Sequence, residues 1–488
     1  MKAFGNIAKD GQVRAVASGA LTDGASVIIN SDGTVSVVSG SDDGAGTPTQ
    51  ISSESNLSQA QAIYDPDTGK VVVAYHRDAS THYYGAAVVG TVSGTSISFG
   101  SITKFQANNT NGMQGLTMAY DTNEDKVLIV YADKDNSTYG TAVVGTVSGT
   151  SISFGSNTVW QSNSVSKMQV GFDSNSNKFL VAYMRSLMRS RVLTVSGTSV
   201  SAGSETNLRS DTDGNMRRPD MAFSTSANKF VIVYRDQDQS NRGQYVVGTI
   251  SGTSVSYGTA ADISSVAVGY QIQIAYDASL DKFLIAYEDD DDSSKGKAVV
   301  GTLSGTSVSF GTPRVFNDAS TLAPAVSSDG SGNFIIAFTD VGNSDRKTFV
   351  SATVSGTTPS FGSEVVIEDV DSESGGSAHL SQMAYDSAND KFVIPYNDFT
   401  NGGLKAAVLQ LASTNLTSEN FIGFSDGAFA DTQSAVINTA NTIDRNQSSL
   451  TAGQTLFVQT DGTLGETAAD PSVTAGTAIS ATELIVKG

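Results

Sequence analysis

Cysteine is absent from the 488 residues. Disulfides therefore contribute nothing, and neither a thiolate metal site nor a thiol nucleophile is available. Histidine occurs three times and tryptophan once. Charge is sparse and lopsided: 16% of residues are charged, with 29 Lys and Arg against 49 Asp and Glu, for a net −20 at pH 7. A chain so short of cations lacks the basic face that phosphate contacts need, which excludes general nucleic-acid binding. The surplus of one sign favours a soluble, self-repelling particle component.

Long apolar runs are missing too. The opening MKAFGNIAKDGQVRAVASG holds no continuous apolar segment of the about 7–15 residues found in a signal peptide. Nothing later approaches the ~20 apolar residues of a membrane span. The expectation is a product made in a cytoplasm, without a signal peptide or membrane insertion, as suits a virion component released by lysis. An ordinary cytosolic protein is the class left beside it.

What is present is a repeat. An apolar pair, YD, a polar turn, K-F/V, a four-residue apolar run and an aromatic residue recur seven times. The copies begin AIYDPDTGKVVVAY at Ala62, MAYDTNEDKVLIVY at Met118, VGFDSNSNKFLVAY at Val170 and MAFSTSANKFVIVY at Met221. They continue as IAYDASLDKFLIAY at Ile274, VSSDGSGNFIIAF at Val326 and MAYDSANDKFVIPY at Met383. The marker residues Asp65, Asp121, Asp173, Ser224, Asp277, Asp329 and Asp386 are spaced 51 to 57 residues apart. After the first six copies comes a second pattern, such as VVGTVSGTSISFG ending at Gly100 and at Gly155.

Each unit reads as four strands. In the second, Gly115 to Tyr120 is a strand, Asp121 to Asp125 a turn whose Asp and Asn bond locally to backbone, and Val127 to Tyr131 a short apolar run buried on both faces. Ala142 to Val147 is the third strand. SGTSISFG then turns tightly into a fourth, in which Ile152 and Phe154 alternate with Ser151 and Ser153. Seven such units require a seven-bladed β-propeller or a hairpin solenoid. Closing arithmetic favours the ring: the seventh copy stops after three strands near Ala412, and Gly33 to Ile51 matches the missing fourth. Thr34 to Val38 is therefore expected to pair with Ala406 to Leu411. The fold class is all-β: a seven-bladed β-propeller over residues 33–412, closed by an N-terminal strand, with an N-terminal hairpin over 1–32 and a small C-terminal β module over 413–488. A further similarity links the ends. ALTDGASVIINSDGTV from Ala20 aligns without gaps on SLTAGQTLFVQTDGTL from Ser449, and both read as the same hairpin.

The C-terminal stretch NFIGFSDGAFADTQSAVI to TELIVKG resembles a module of tail-fibre and other virion proteins of tailed phages and prophages, and the repeats resemble those of structural proteins of marine phages. Together these cover most of the chain. The resemblance implies a phage structural protein: a tail-associated or fibre-like adhesin whose loop face meets the host surface, a host glycan or receptor, or neighbouring tail or capsid proteins. Capsid decoration or a head fibre is one alternative and a polysaccharide-degrading propeller enzyme another. Homo-oligomerisation is compatible with it, although no heptad or collagen-like repeat is present.

Loops between blades and between second and third strands share one face, where binding concentrates. The candidate contact residues there are Met113 and Gln114, Met168 and Gln169, Arg185, Arg189 and Arg191, Arg217 and Arg218, Tyr270 and Gln271, and His379. Eight of thirteen arginines, from Arg185 to Arg242, fall within 58 residues. Guanidinium groups suit carboxylate or phosphate, so these form either an anion-binding patch or ion pairs with the abundant Asp. The acid run Glu288 to Asp292 lacks the spacing of a calcium loop and reads as a solvated turn. His76 and His82 share one polar turn, exposed or weakly metal-binding. With no nucleophile-elbow, zincin or nucleotide-loop motif, the expectation is a protein that is not an enzyme and needs no cofactor or metal, although a glycosidase requires no more than two carboxylates.

Overall fold

The computed structural model describes residues 11–78, 83–209, 216–371 and 382–487. They form two compact units, Ala45–Gln410, and Met1–Gly44 together with Leu411–Gly488. Strands dominate. The helical segments among the described residues are three one-turn 3₁₀ pieces, and none is long and apolar enough to cross a membrane.

The larger unit has a β-propeller-like, all-β fold in which each of the seven repeats forms an antiparallel set of strands; those of the fourth to sixth run together as one sheet through Ala261–Asp277 and Arg314–Ser328. In the second, Met113–Asp121, Lys126–Asp133 and Tyr139–Ser148 pair in sequence order. Ser151–Phe154 and Thr158–Ser164 then pair with successive halves of Tyr139–Ser148. The fourth strand is thus two pieces joined at a glycine. Gly155 N–H donates to Val144 C=O, and the same bond, 2.8–3.0 Å, is made by Gly46, Gly100, Gly203, Gly258, Gly311 and Gly362. A Cβ at Gly100 would lie 1.9 Å from Thr150 O of the next sheet, so this glycine is where one sheet's rim meets the SGT turn of its neighbour.

The turn chemistry follows from backbone conformation. Asp65 accepts the N–H groups of Asp67 and Thr68, and Asp386 those of Ala388 and Asn389. The residue before the repeat's lysine is left-handed, at φ 54° for Asp125 and 55° for Asn177, which Asn and Asp tolerate better than most residues. The recurrent N-K and D-K pairs have that cause.

Both faces of the inner sheets are buried, so each side chain of the apolar run packs against one of two neighbours. Val72 and Val89 share a core with Met118 and Ile129 of the second sheet. Val73 and Val88, one residue over, share another with Val393 and Val408 of the seventh. The seventh sheet takes its fourth strand from Gly44–Ala45 and Thr49–Ser52. Thr34 to Val38 does not supply it. Val35–Val37 pairs instead with Ser26–Ile29, because Val35 and Val27 complete a separate apolar core in the smaller unit. The boundary accordingly falls at Gly44 and not at residue 33.

The smaller unit is a duplication. One sheet has the order Val35–Val37, Ser26–Ile29, Phe421–Ser425, Ser434–Asn438, Gln12–Val16; the other has Leu464–Gly465, Thr455–Val458, Val473–Ala478, Leu484–Val486, Ile443–Asp444. Chain order and pairing match strand for strand. Details match as well: Asp32 caps Thr34 N and Asp461 caps Thr463 N, both at 2.9 Å. Gly423 and Gly476 sit at equivalent register shifts, where a Cβ would strike Asn438 O or Ile485 O. The first copy is interrupted between its third and fourth strands by residues 45–410. The two crossing segments pair with each other, Ser41 with Ser413 and Gly40 with Thr414.

Candidate functional site

Every inner strand with a described start carries a bulge just after it begins. At the bulge the chain turns left-handed: Gln59 (φ 50°), Gly115 (68°), Lys167 (47°), Arg218 (46°) and Ala323 (48°), each six residues before the turn marker. Four of these are not glycine, and such conformations cost on the order of 1–3 kcal/mol each. In the fifth sheet the bulge is one residue larger and admits Gly269 and Tyr270.

Arg235, Tyr270, Glu288 and Asp290 come together beside that larger bulge. Arg235 and Glu288 occupy the same column of the repeat on adjacent sheets, the position after the buried aromatic residues Tyr234 and Tyr287. The Arg235 guanidinium carbon lies 4.9 Å from the centroid of the Tyr270 ring, which is 47% exposed. Arg235 itself is 6% exposed. Its nearest anion is Asp290, at 3.8 Å from Nη2, and its buried Nε and Nη1 have no hydrogen-bond partner among the described residues. Burial, with the Asp290 charge beside it, pushes the Glu288 carboxyl up to about 7, against the opposing pull of Arg235. Asp290 is raised as well, chiefly by burial. Gly269 permits the packing, since a Cβ there would lie 1.9 Å from Glu288 Oε2. The assembly is thus an exposed aromatic ring over an unsaturated guanidinium, beside a carboxyl that titrates near neutrality.

Of the sequence candidates, Tyr270 belongs to this cluster, and Arg217 pairs in register with Arg235; the side chain of Arg217 and all of His379 and His82 lie outside the described residues. Arg218 stands in the left-handed row. Met113 and Met168 are core residues, 1% and 3% exposed. Gln169 and Gln271 are buried, and Gln114 donates to Val165 O. Of the two readings of the arginine run, ion pairing with acids holds for four of its members. Arg185 and Arg189 both pair with Glu205, Arg209 with Asp236 and Arg242 with Asp262, while Arg191 bonds Gly203 O. Acids placed one strand away neutralise them. His76 is not exposed either; its Nε2 lies 2.9 Å from Ser58 Oγ in the interior.

The sequence places Arg235 in the arginine run without singling it out, and Glu288 in a turn that reads as solvated. Lining up the seven copies by the residue after the aromatic gives His76, Ala132, Met184, Arg235, Glu288, Thr339 and Asn397. The one Arg beside the one Glu was the available signal.

No protein-family model matches the chain, and no curated protein matches it. Two solved structures are similar to it. One is the K499G mutant of NanB sialidase from Streptococcus pneumoniae, with TM-score 0.44 and 9% identity over 60% of this chain and 67% of that one. The other is the periplasmic gluconolactonase PpgL of Pseudomonas aeruginosa, with TM-score 0.48 and 12% identity over 72% and 96%. Both are enzymes by name, and the expectation that this chain is not an enzyme is withdrawn on that finding.

Proposed function

We propose that the chain is a seven-bladed β-propeller, closed by Gly44–Ala45 and Thr49–Ser52, that binds acidic host-surface carbohydrate as a tail-associated or fibre-like protein of a tailed-phage virion. The core shared by the first and seventh sheets supports the closure. The virion setting rests on the resemblance of the repeats and the C-terminal module. Carbohydrate binding rests on Arg235. A buried cation with unmatched donors is costly, and a carboxylate on a sugar would satisfy the guanidinium while Tyr270 stacks on the sugar ring.

A second reading, polysaccharide hydrolysis, is favoured by Glu288. A carboxyl protonated up to about pH 7 can deliver a proton to a leaving oxygen, with Asp290 as the carboxylate partner.

Titration with acidic and neutral envelope polysaccharides of the host separates the readings. Saturable binding confined to acidic polymers is expected, weakened about tenfold or more by Arg235→Ala. Equal binding of neutral polymers would overturn the assignment. Release of reducing sugar that disappears in Glu288→Gln would establish the hydrolase. Labelled antibody should decorate particles at the tail; label on the capsid would favour decoration, and bare particles would remove the virion reading.

A further inference from the structure

Four residues before the turn marker, the inner strands carry a polar side chain in an otherwise apolar stretch: Gln61, Thr117, Gln169, Asp220, Gln273 and Gln382. The sixth strand has Ala325 in register with them. Hydrogen bonds run along the row toward one group. Thr117 Oγ1 donates to Gln169 Oε1 at 2.5 Å, Gln169 Nε2 to Asp220 Oδ1 at 2.6 Å, and Ile274 N–H to Asp220 Oδ2 at 2.9 Å. With Met221 N–H as a third donor, Asp220 keeps about one of its four acceptor sites free.

Asp220 is 5% exposed, and the groups acting on its ionisation are burial and the neutral Gln169, Met221 N–H and Ile274 N–H. A buried carboxylate without a cationic neighbour is expensive. The bonded row ends at Asp220, since neither Gln273 nor Ala325, the next two positions, extends it, and a cavity of about 230 Å³ opens there, lined among others by Asp220, Gln273, Ser327, Ser328 and Gln382. Gln273 is 7% exposed and makes no side-chain hydrogen bond among the described residues. Gln382 Oε1 is buried without a partner. A carboxylate, two glutamines and two serines thus line one space.

We propose that this cavity holds one monovalent alkali cation, ligated by the Asp220 carboxylate and the amide oxygens of Gln273 and Gln382. Charge decides the valence. One positive charge neutralises the single carboxylate, whereas a divalent ion would bury a surplus charge among neutral ligands. Oxygen-only ligation suits hard cations and gives soft metals no purchase.

The test uses the full chain, exchanged into choline chloride at pH 7.5 and titrated with sodium, potassium or calcium at constant ionic strength. A saturable rise in melting temperature of about 2 °C is expected with one alkali ion, together with a rubidium anomalous peak in the cavity of soaked crystals. Asp220→Asn should abolish both, and so should Ala325→Gln, which fills the space and leaves Asp220 in place. No saturable response, an unchanged response in both variants, or saturation by calcium alone would overturn the proposal. None of these outcomes bears on binding at Arg235.

Discussion

Glu288 shows how a residue acquires its chemistry from distant chain. Its carboxyl is enclosed because Gly269, nineteen positions earlier, brings bare backbone against it. The neighbours that act on its charge are Asp290, Arg235, Ser294 and the Tyr270 backbone. Protonation removes a negative charge from beside Arg235, so an acidic polysaccharide should bind more tightly at pH 6 than at pH 8. Glu288→Gln should flatten that dependence when affinity is measured across the range. The sign also fixes the stability effect: a carboxyl raised on folding favours the native state at low pH, and this contribution is lost as pH rises from the unfolded value near 4.3 through about 7. Tyr270 was legible as a residue between repeats, although it stands at a bulge within Ala261–Asp277 and not in a loop. Glu288 was not, since an acid in EDDDD is indistinguishable from a solvated turn until its burial is known.

Elements were more legible than residues, because the turn markers and the SGT turns fix strand ends by local backbone rules. The strand that completes the seventh sheet was legible in part. GTPTQI at Gly46 matches GTPRVF at Gly311, and the structure gives Gly46 and Gly311 the same bond to the third strand. VSVV at Val35 misleads, since the same alternation suits a hairpin, and the choice between two cores is made by packing that period-two patterning does not encode. Gly46 is the sensitive point: a Cβ there would lie 1.7 Å from Thr95 O of the first sheet. Gly46→Ala should therefore cost about 2 kcal/mol or more in denaturant unfolding, comparable with Gly100→Ala. A neutral Gly46→Ala beside a destabilising Gly100→Ala would count against closure at this seam.

For the molecule as a whole, the duplicated module predicts independence of the smaller unit. Its ten principal strands pair with one another and enclose their own cores, so replacing residues 45–410 by a short flexible linker should leave a β-rich protein with a cooperative melt, checked by circular dichroism and amide dispersion. An unfolded product would show that the second copy alone cannot hold the interrupted first. Sequence disclosed one hairpin of this duplication and no more, because the remaining strands share register and bulge positions without sharing letters.

The interruption also sets a path for mechanical load. Gln12–Val16 and Ser26–Ile29 are stitched directly to Ser434–Asn438 and Phe421–Ser425. Tension applied between Gln12 and Val486 passes across those seams first and is short-circuited around residues 45–410. The strands of residues 45–410 remain slack until the module shears.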